Sequence, residues 1–464
     1  MTDCRWRTQS VLYLIITLAT LCLGSEAYAV PAFARQTGQS CVACHVSFPE
    51  LTSYGRLFKL SGYTIGTRQD IPLAIMAQIG SSTINNNHDD QGDEIQPKNR
   101  EIAFSGYSVF AAGKVTDHLG GFIQWTDSNL NVAPDGSTRW HSGIDNTDLR
   151  FVGSSSDLQM QDTRWIYGVT VHNNPTVQDV WNSTPAFGFP FTTPPNLVSP
   201  AAGTQVEGAL AQQVAGIGAY TFFDKTWYGE LTLYRTADRQ FSVLRAGQDL
   251  TNPGGVAKLD GYNPYLRFAY NKDWGANSFM LGALGLRVDR YPDNTITDTG
   301  QDRYTDVGID SQYQYITLQN TFTLQASAIR ERQDYRTSFL ATLAGNPIGV
   351  GPTPENSVDH LLSKKLKATY YFQNKYGATI SYFSINGSTD AGLYAPGSVD
   401  GSRTGSPDSS GEIIELDYVP VQNIRLMLQY TAYTTFNGSH SDYDGSGRSA
   451  RDNNTLFLNA WVAY

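Results

Sequence analysis

The feature that most constrains the fold is a repeated alternation of apolar and polar residues from Ile71 onward. It recurs in segments of about ten residues separated by turn-forming residues, as in the strands of a transmembrane β-barrel, where one face meets lipid and the other the lumen. In one segment Leu426 and Leu428 alternate with Arg425 and Gln429. The pattern predicts an all-β protein, an antiparallel transmembrane barrel.

About sixteen such segments can be counted. The predicted strands are 71–84, 100–115, 121–129, 144–155, 164–174, 212–223, 227–237, 261–272, 276–288, 302–315, 320–333, 359–374, 375–386, 411–420, 422–433 and 453–464.

The predicted connections alternate in length. Tight ones are 116–119, 224–226, 273–275 and 420–421, and long ones are 175–211, 238–260, 334–358, 387–410 and 434–452. Bacterial outer-membrane barrels have short periplasmic turns and long extracellular loops, so both termini are expected in the periplasm, as an even strand count also requires. A soluble β-sandwich or propeller is the alternative.

Composition agrees with a barrel and narrows the partners. Charged residues make up only 16% of the chain, aromatic residues 12%, and the mean hydropathy is −0.33. The net charge of −10 disfavours nucleic acid as a partner. A lipid membrane is the expected surrounding.

Residues 1–29 have the pattern of a signal peptide. Two early arginines precede the apolar stretch Val11–Leu23, and Ala27–Ala29 is a small-x-small cleavage site. A membrane anchor or a lipidated cysteine is the alternative. Cleavage would leave a mature chain whose only cysteines are Cys41 and Cys44.

Cys41, Cys44 and His45 form a Cys-x-x-Cys-His motif. This spacing is the attachment signature of haem c, in which both thiols form thioethers to the porphyrin and the histidine is an axial ligand of the iron. The other interpretation is a disulfide or redox-active thiol pair. The motif lies in a predicted haem segment, residues 30–70, which is expected to plug or cap the lumen of the barrel that follows, 71–464.

The haem segment is too short to fold alone without a cofactor. A helix is predicted over 49–60, beginning at Pro49 and ending before Gly62. One face of this helix could cover a porphyrin or pack on protein; it carries Leu51, Tyr54, Leu57 and Phe58. Three cations are candidates to pair with haem propionates or to be ordinary solvated charges: Arg35, Arg56 and Lys59.

Met76 is the best candidate for a second axial ligand. It lies close in sequence to the motif, and the apolar odd-numbered residues of its segment turn it toward the lumen. His/Met ligation would raise the haem potential; otherwise Met76 only packs against the segment. Weaker candidates are His88, Met160 and Met427.

Residues around the motif resemble the fused cytochrome–porin family. They are the stretch 31–38, the motif itself, 48–51, 55–63 and, further on, 173–185. These proteins are outer-membrane monohaem cytochromes associated with ferrous iron oxidation. The resemblance implies electron transfer from extracellular Fe(II), through the haem, to a periplasmic c-type cytochrome or similar carrier.

Three functions therefore remain open: an iron-oxidising cytochrome, a porin whose haem segment is a gate or sensor, and a cytochrome for another donor or acceptor. Acidic residues in the predicted outer loops could concentrate Fe²⁺ or simply solvate those loops. No hydrolase or phosphate-binding motif is present in the sequence.

Overall fold

A computed structural model describes residues 31–47, 50–96, 99–132, 138–153, 164–184, 198–246 and 257–464. The predicted signal peptide, 1–29, lies outside these residues. Sixteen antiparallel strands, from β3 (Leu73–Ile84) to β18 (Thr455–Ala463), pair in chain order, and β18 pairs with β3 to close a barrel. The predicted fold class is confirmed. No described helix is long and apolar enough to cross a membrane.

The barrel strands are β3 Leu73–Ile84, β4 Ala103–Lys114, β5 Leu119–Val132, β6 Thr138–Val152, β7 Trp165–His172, β8 Val214–Phe223, β9 Trp227–Thr236, β10 Asn263–Trp274, β11 Asn277–Arg290, β12 Asp302–Ile316, β13 Asn320–Asp334, β14 Val358–Phe372, β15 Tyr376–Gly387, β16 Ser409–Val421, β17 Ile424–Thr435 and β18 Thr455–Ala463. Each corresponds to one predicted segment.

The wall has one apolar and one polar face. On β17, Leu426 and Leu428 are 40% and 38% exposed, whereas Arg425 and Gln429 are buried. Outward apolar side chains recur around the barrel. In a closed barrel every strand is paired along both edges, so no backbone edge is exposed. The outward apolar band is the surface expected to contact a lipid bilayer.

The connections alternate as predicted, with two exceptions: 153–164 is long although it lies at the short-turn end, and 133–137 is short although it lies at the long-loop end. Those of two to four residues are 115–118, 224–226, 275–276, 317–319, 373–375 and 422–423, and long ones include 85–102, 173–213, 335–357 and 388–408. Strand β3 begins, and β18 ends, at the short-turn end of the barrel.

The segment before the barrel contains helices α1 (Pro31–Thr37), α2 (Cys41–Cys44) and α3 (Ser53–Leu60), with strands β1 (His45–Ser47) and β2 (Glu50–Leu51) between the last two. A fourth short helix, α4 (Ser338–Leu343), lies in a long loop.

The predicted helix over 49–60 is wrong at its start. Pro49 lies outside the described residues, and Leu51 pairs with His45 in the β1–β2 hairpin. Thr52 then caps α3, because its Oγ1 accepts a hydrogen bond from the Gly55 amide at 3.2 Å. The sequence pattern followed the apolar periodicity and missed this cap.

The segment lies inside the barrel at its short-turn end. Its anchors reach several walls: Arg56 donates to Gln312 and Gln314 of β12, and the Tyr220 hydroxyl of β8 donates to the Leu60 carbonyl. At another part of the wall, Lys367 of β14 forms an ion pair with the buried Glu50 carboxylate of β2. The segment therefore forms a plug, as expected.

Residues 173–184, here called the lumen loop, correct a second prediction. The sequence places 175–211 among the outer loops, yet the lumen loop is buried inside the barrel. Asp179 forms an ion pair with Arg267 of β10 at 3.1 Å, and the Trp181 carbonyl accepts from Gln312 and Gln325. Because the loop carries polar groups that match the lumen-facing wall, it folds inward.

Candidate haem site

The Cys-x-x-Cys-His motif forms a single helical turn followed by extended chain. Helix α2 holds Cys41 and Cys44, and the amide of His45 closes the turn on the Cys41 carbonyl. The Cys41 amide donates to the side chain of Gln422, in a short turn, at 3.2 Å. The helical turn of α2 brings both thiols and the imidazole to one cavity, and all three residues line it.

Helix α3 packs tightly against the motif. The Thr52 amide donates to the Cys44 carbonyl at 2.9 Å, and the Thr52 hydroxyl donates to the Ala43 carbonyl at 2.6 Å. A Cβ at Gly55 would lie 2.2 Å from the Cys44 carbonyl oxygen. Only glycine allows this close approach.

The cavity is apolar and lies between the plug and the wall. Its empty space, including the open region at its mouth, is about 1410 Å³. Phe33 stacks on Tyr63 with ring centres 5.4 Å apart. The aromatic residues that line the cavity include Phe33, Phe58, Tyr63, Phe110 and Phe122.

Burial sets the protonation of the motif. It lowers the pKa of His45 to about 4, so the imidazole is neutral near pH 7, the form that binds a metal. Burial, with a smaller contribution from Cys41, raises the pKa of Cys44 to about 12. Redox-active thiol pairs usually have lowered pKa values, so the surroundings disfavour the dithiol interpretation.

Met76 lies where the sequence predicts. It points inward from β3, is 9% exposed and lines the same cavity as His45. Among the weaker candidates, His88 is exposed in a long loop, and Met427 lines a different recess. Met160 lies outside the described residues. Ligation of iron by Met76 stays a prediction.

The three candidate propionate cations have different surroundings. Arg35 is exposed and donates to the Leu73 carbonyl, while Arg56 is buried by its contacts with the wall. Lys59 lines the cavity. Its ammonium donates to the Val177 carbonyl and lies 3.8 Å from Asp148.

The porphyrin-covering face of α3 is only partly as predicted. Leu51 and Phe58 line the cavity, whereas Leu57 packs against a wall cluster with Trp181 and Tyr228. Tyr54 is not a lining residue. The face that the cavity meets is Gly55, Phe58 and Lys59, spaced by three and four residues.

The sequence missed the part of the site that the lumen loop supplies. Thr176, Val177, Asp179 and Val180 line the cavity, but only the family resemblance drew attention to their stretch. The only hint in the sequence that this stretch folds into a defined structure was its polar residues Asn173, Asn174 and Asp179. Asn174 and Asp179 cap local turns with their side chains, and such residues are common in any loop.

These residues fit a haem c. The cavity offers two thiols on one helical turn, a neutral imidazole and aromatic walls. A covalent haem would also supply the core that the plug otherwise lacks.

The described parts of the long loops contain no evident iron site. Within the described ranges, no group of three or more His, Cys, Asp and Glu side chains could hold a metal ion. Two of the acidic residues that fall in predicted outer loops form ion pairs: Asp289, at the end of β11, with Arg287 and Arg303, and Asp442 with Arg403. These contacts favour a structural role.

Comparison with known proteins returns porin barrels. No protein-family description and no curated protein matches the chain. Solved structures that resemble it include the outer membrane channel DcaP of Acinetobacter baumannii (14% identity, TM-score 0.45, 84% of this chain and 96% of that one), the outer membrane protein OmpT of Vibrio cholerae (11%, 0.42, 84% and 96%) and an anion-selective porin from Comamonas acidovorans (12%, 0.44, 84% and 98%). At this level the likeness carries no functional argument. The cytochrome–porin resemblance stays a prediction.

Proposed function

We propose that this protein is a bacterial outer-membrane monohaem cytochrome that takes electrons from extracellular Fe(II) and passes them to a periplasmic c-type carrier. The observation that carries the proposal is the meeting of Cys41, Cys44 and His45 at one apolar cavity inside a closed barrel. When bound, the haem would supply one-electron redox chemistry. The chain supplies its position, polarity and access.

The position of the plug supports this function. The motif lies at the short-turn end, where Gln422 bonds to Cys41, and short turns face the periplasm in outer-membrane barrels. In that orientation both termini are periplasmic, and a periplasmic carrier meets the haem end. The long loops then face an external donor.

The contents of the lumen also support electron transfer over solute passage. The plug and the lumen loop bond to the wall and to each other. Opening a pore would break buried ion pairs and hydrogen bonds, each with a free-energy cost of about 1–5 kcal/mol.

A direct test adds Fe²⁺ to the purified, haem-loaded protein and follows the haem absorption bands. We expect rapid reduction of the haem in the wild type. The control is His45→Ala, in which the chain lacks its axial ligand and the normal spectrum should be lost. A haem that does not respond to Fe²⁺, across acid and neutral pH, would rule out Fe(II) as the donor.

The second candidate is a porin whose plug acts as a haem-bearing gate. The sixteen-strand wall favours it, since barrels of that size can hold a water-filled channel. Single-channel recording in a planar bilayer separates the two functions. The cytochrome proposal expects no stable ion conductance; discrete openings that depend on haem redox state would favour the gate.

A further inference from the structure

The cavity carries one positive and one negative side chain on its described lining, and only the negative one is fully compensated. Of its described lining residues, Lys59 carries the only positive side chain and Asp179 the only negative one. Asp179 is compensated, because it pairs with Arg267 and accepts hydrogen bonds from the Trp181, Ser183 and Thr184 amides. Lys59 has no comparable partner of its own.

The nearest anion to Lys59 is already shared. Asp148 lies 3.8 Å from the Lys59 ammonium, beyond hydrogen-bond distance, and accepts from Arg150 at 2.9 Å and Tyr63 at 2.7 Å. Lys59 itself is only 12% exposed. Its burial, only partly offset by Asp148, lowers the pKa of Lys59 to about 8. An ammonium has three donors, so a further anion would stabilise it.

The helix places Lys59 at a defined distance from the thiols. Gly55 packs against the Cys44 carbonyl, and Lys59 follows one helical turn later on the same face, about 6 Å along the axis. A porphyrin attached through its two vinyl positions carries its propionates on the two remaining pyrroles. Because Lys59 lines the cavity one helical turn beyond the contact with Cys44, it would hold a carboxylate at the porphyrin edge that is not bonded to the thiols.

Resting on the proposed function, we propose that Lys59 binds a haem propionate and thereby raises the reduction potential of the haem. The ammonium would neutralise the carboxylate in a site of low dielectric, where such contacts are strong. A nearby cation favours the reduced haem, which carries one more negative charge. Lys59 is thus a positioning residue that helps the haem accept electrons from a donor of high potential.

The experiment measures the haem potential in Lys59→Met, Lys59→Arg and the wild type. At a fixed ambient potential, Lys59→Met should lower the ratio of reduced to oxidised haem about tenfold, which is 59 mV for one electron. Lys59→Arg, which keeps the positive charge, should restore most of the ratio of reduced to oxidised haem. Lys114→Met is the matched control: it removes a charge at the rim, paired with Asp117 at 2.8 Å, and screening should leave the potential almost unchanged.

The outcomes are distinct. If Lys59 only tied α3 to the lumen loop through Val177, Lys59→Met would lower thermal stability but leave the potential as in the wild type, which would overturn the proposal. An equal shift of the haem potential in Lys114→Met would also overturn the proposal. If Lys59→Met does not fold, Lys59→Gln gives the same comparison. Absence of covalent haem from every variant would instead overturn the proposed function.

Discussion

The wall and the contents of the lumen are built in different ways. The wall is a continuous ladder of backbone hydrogen bonds in which each strand pairs with both neighbours. The plug and lumen loop have irregular backbone, and side chains such as Arg56, Asp179 and Lys59 hold them in place. Substitutions should therefore have small effects on the wall and large, specific effects inside it.

The largest expected effect comes from Asp179→Ala in the lumen loop. Removing this carboxylate leaves the buried Arg267 with Asp310 alone and takes the acceptor from the Ser183 and Thr184 amides; breaking such a buried ion-pair network costs about 3–5 kcal/mol. Urea unfolding of the detergent-solubilised protein measures the loss. Asp298→Ala, in an exposed loop, is the control, with an expected change within about 0.5 kcal/mol. Equal losses of unfolding free energy in both variants would contradict the expected difference between lumen and surface substitutions.

Gly55→Ala should destabilise the plug by about 1–3 kcal/mol through overpacking. The new methyl group would meet the Cys44 carbonyl at 2.2 Å. Gly229→Ala on β9 is the matched wall variant, since a methyl group there meets only Thr221 at 3.7 Å. Thermal melting followed at the haem bands should shift for Gly55→Ala alone; a comparable shift for Gly229→Ala would contradict the comparison.

Acid should weaken the lumen contents through Asp179. Burial raises the pKa of this carboxyl, but Arg267 and the hydrogen bonds to the loop outweigh it and hold the pKa below its usual value. The stabilisation is therefore present above the unfolded pKa of about 3.9 and is lost as pH falls through the lower folded pKa. Unfolding free energies measured downward from about pH 5 should fall more steeply in the wild type than in Asp179→Asn. Parallel curves would show that Asp179 does not contribute.

Met76→Leu should have the smallest effect on stability, below about 1.5 kcal/mol, because volume is nearly conserved. If the Met76 sulfur ligates the iron, as the sequence predicts, the haem potential should fall and the absorption bands should shift. Met427→Leu, also lumen-facing but outside the cavity, is the control. A potential that does not change in Met76→Leu would mean that the residue only packs.

The wall was largely predictable from the sequence because it depends on a period of two. Residues such as Arg425 and Leu426 have opposite polarity and opposite exposure, and one register satisfies the whole strand. The inward position of Met76 followed from the same alternation. The Cys41–His45 motif was predictable because thioether attachment requires that spacing.

The interior contacts were not predictable, because they join residues far apart in the chain. The lumen loop has the polar composition of an outer loop, and only its partners on β10, β12 and β13 make the inward fold favourable. The start of α3 depends on a hairpin that pairs His45 with Leu51. The use of Arg56 as an anchor, and of Lys59 as a lining residue, depends on the same long-range packing.

The most direct test of the account is the mass of the mature chain, purified from cells that attach haem c, together with its pyridine haemochrome spectrum. We expect one covalent haem per chain in the wild type and none in the Cys41→Ser, Cys44→Ser double variant, with the barrel intact in both. A wild-type chain that reaches the outer membrane with its two thiols unmodified would contradict the central claim.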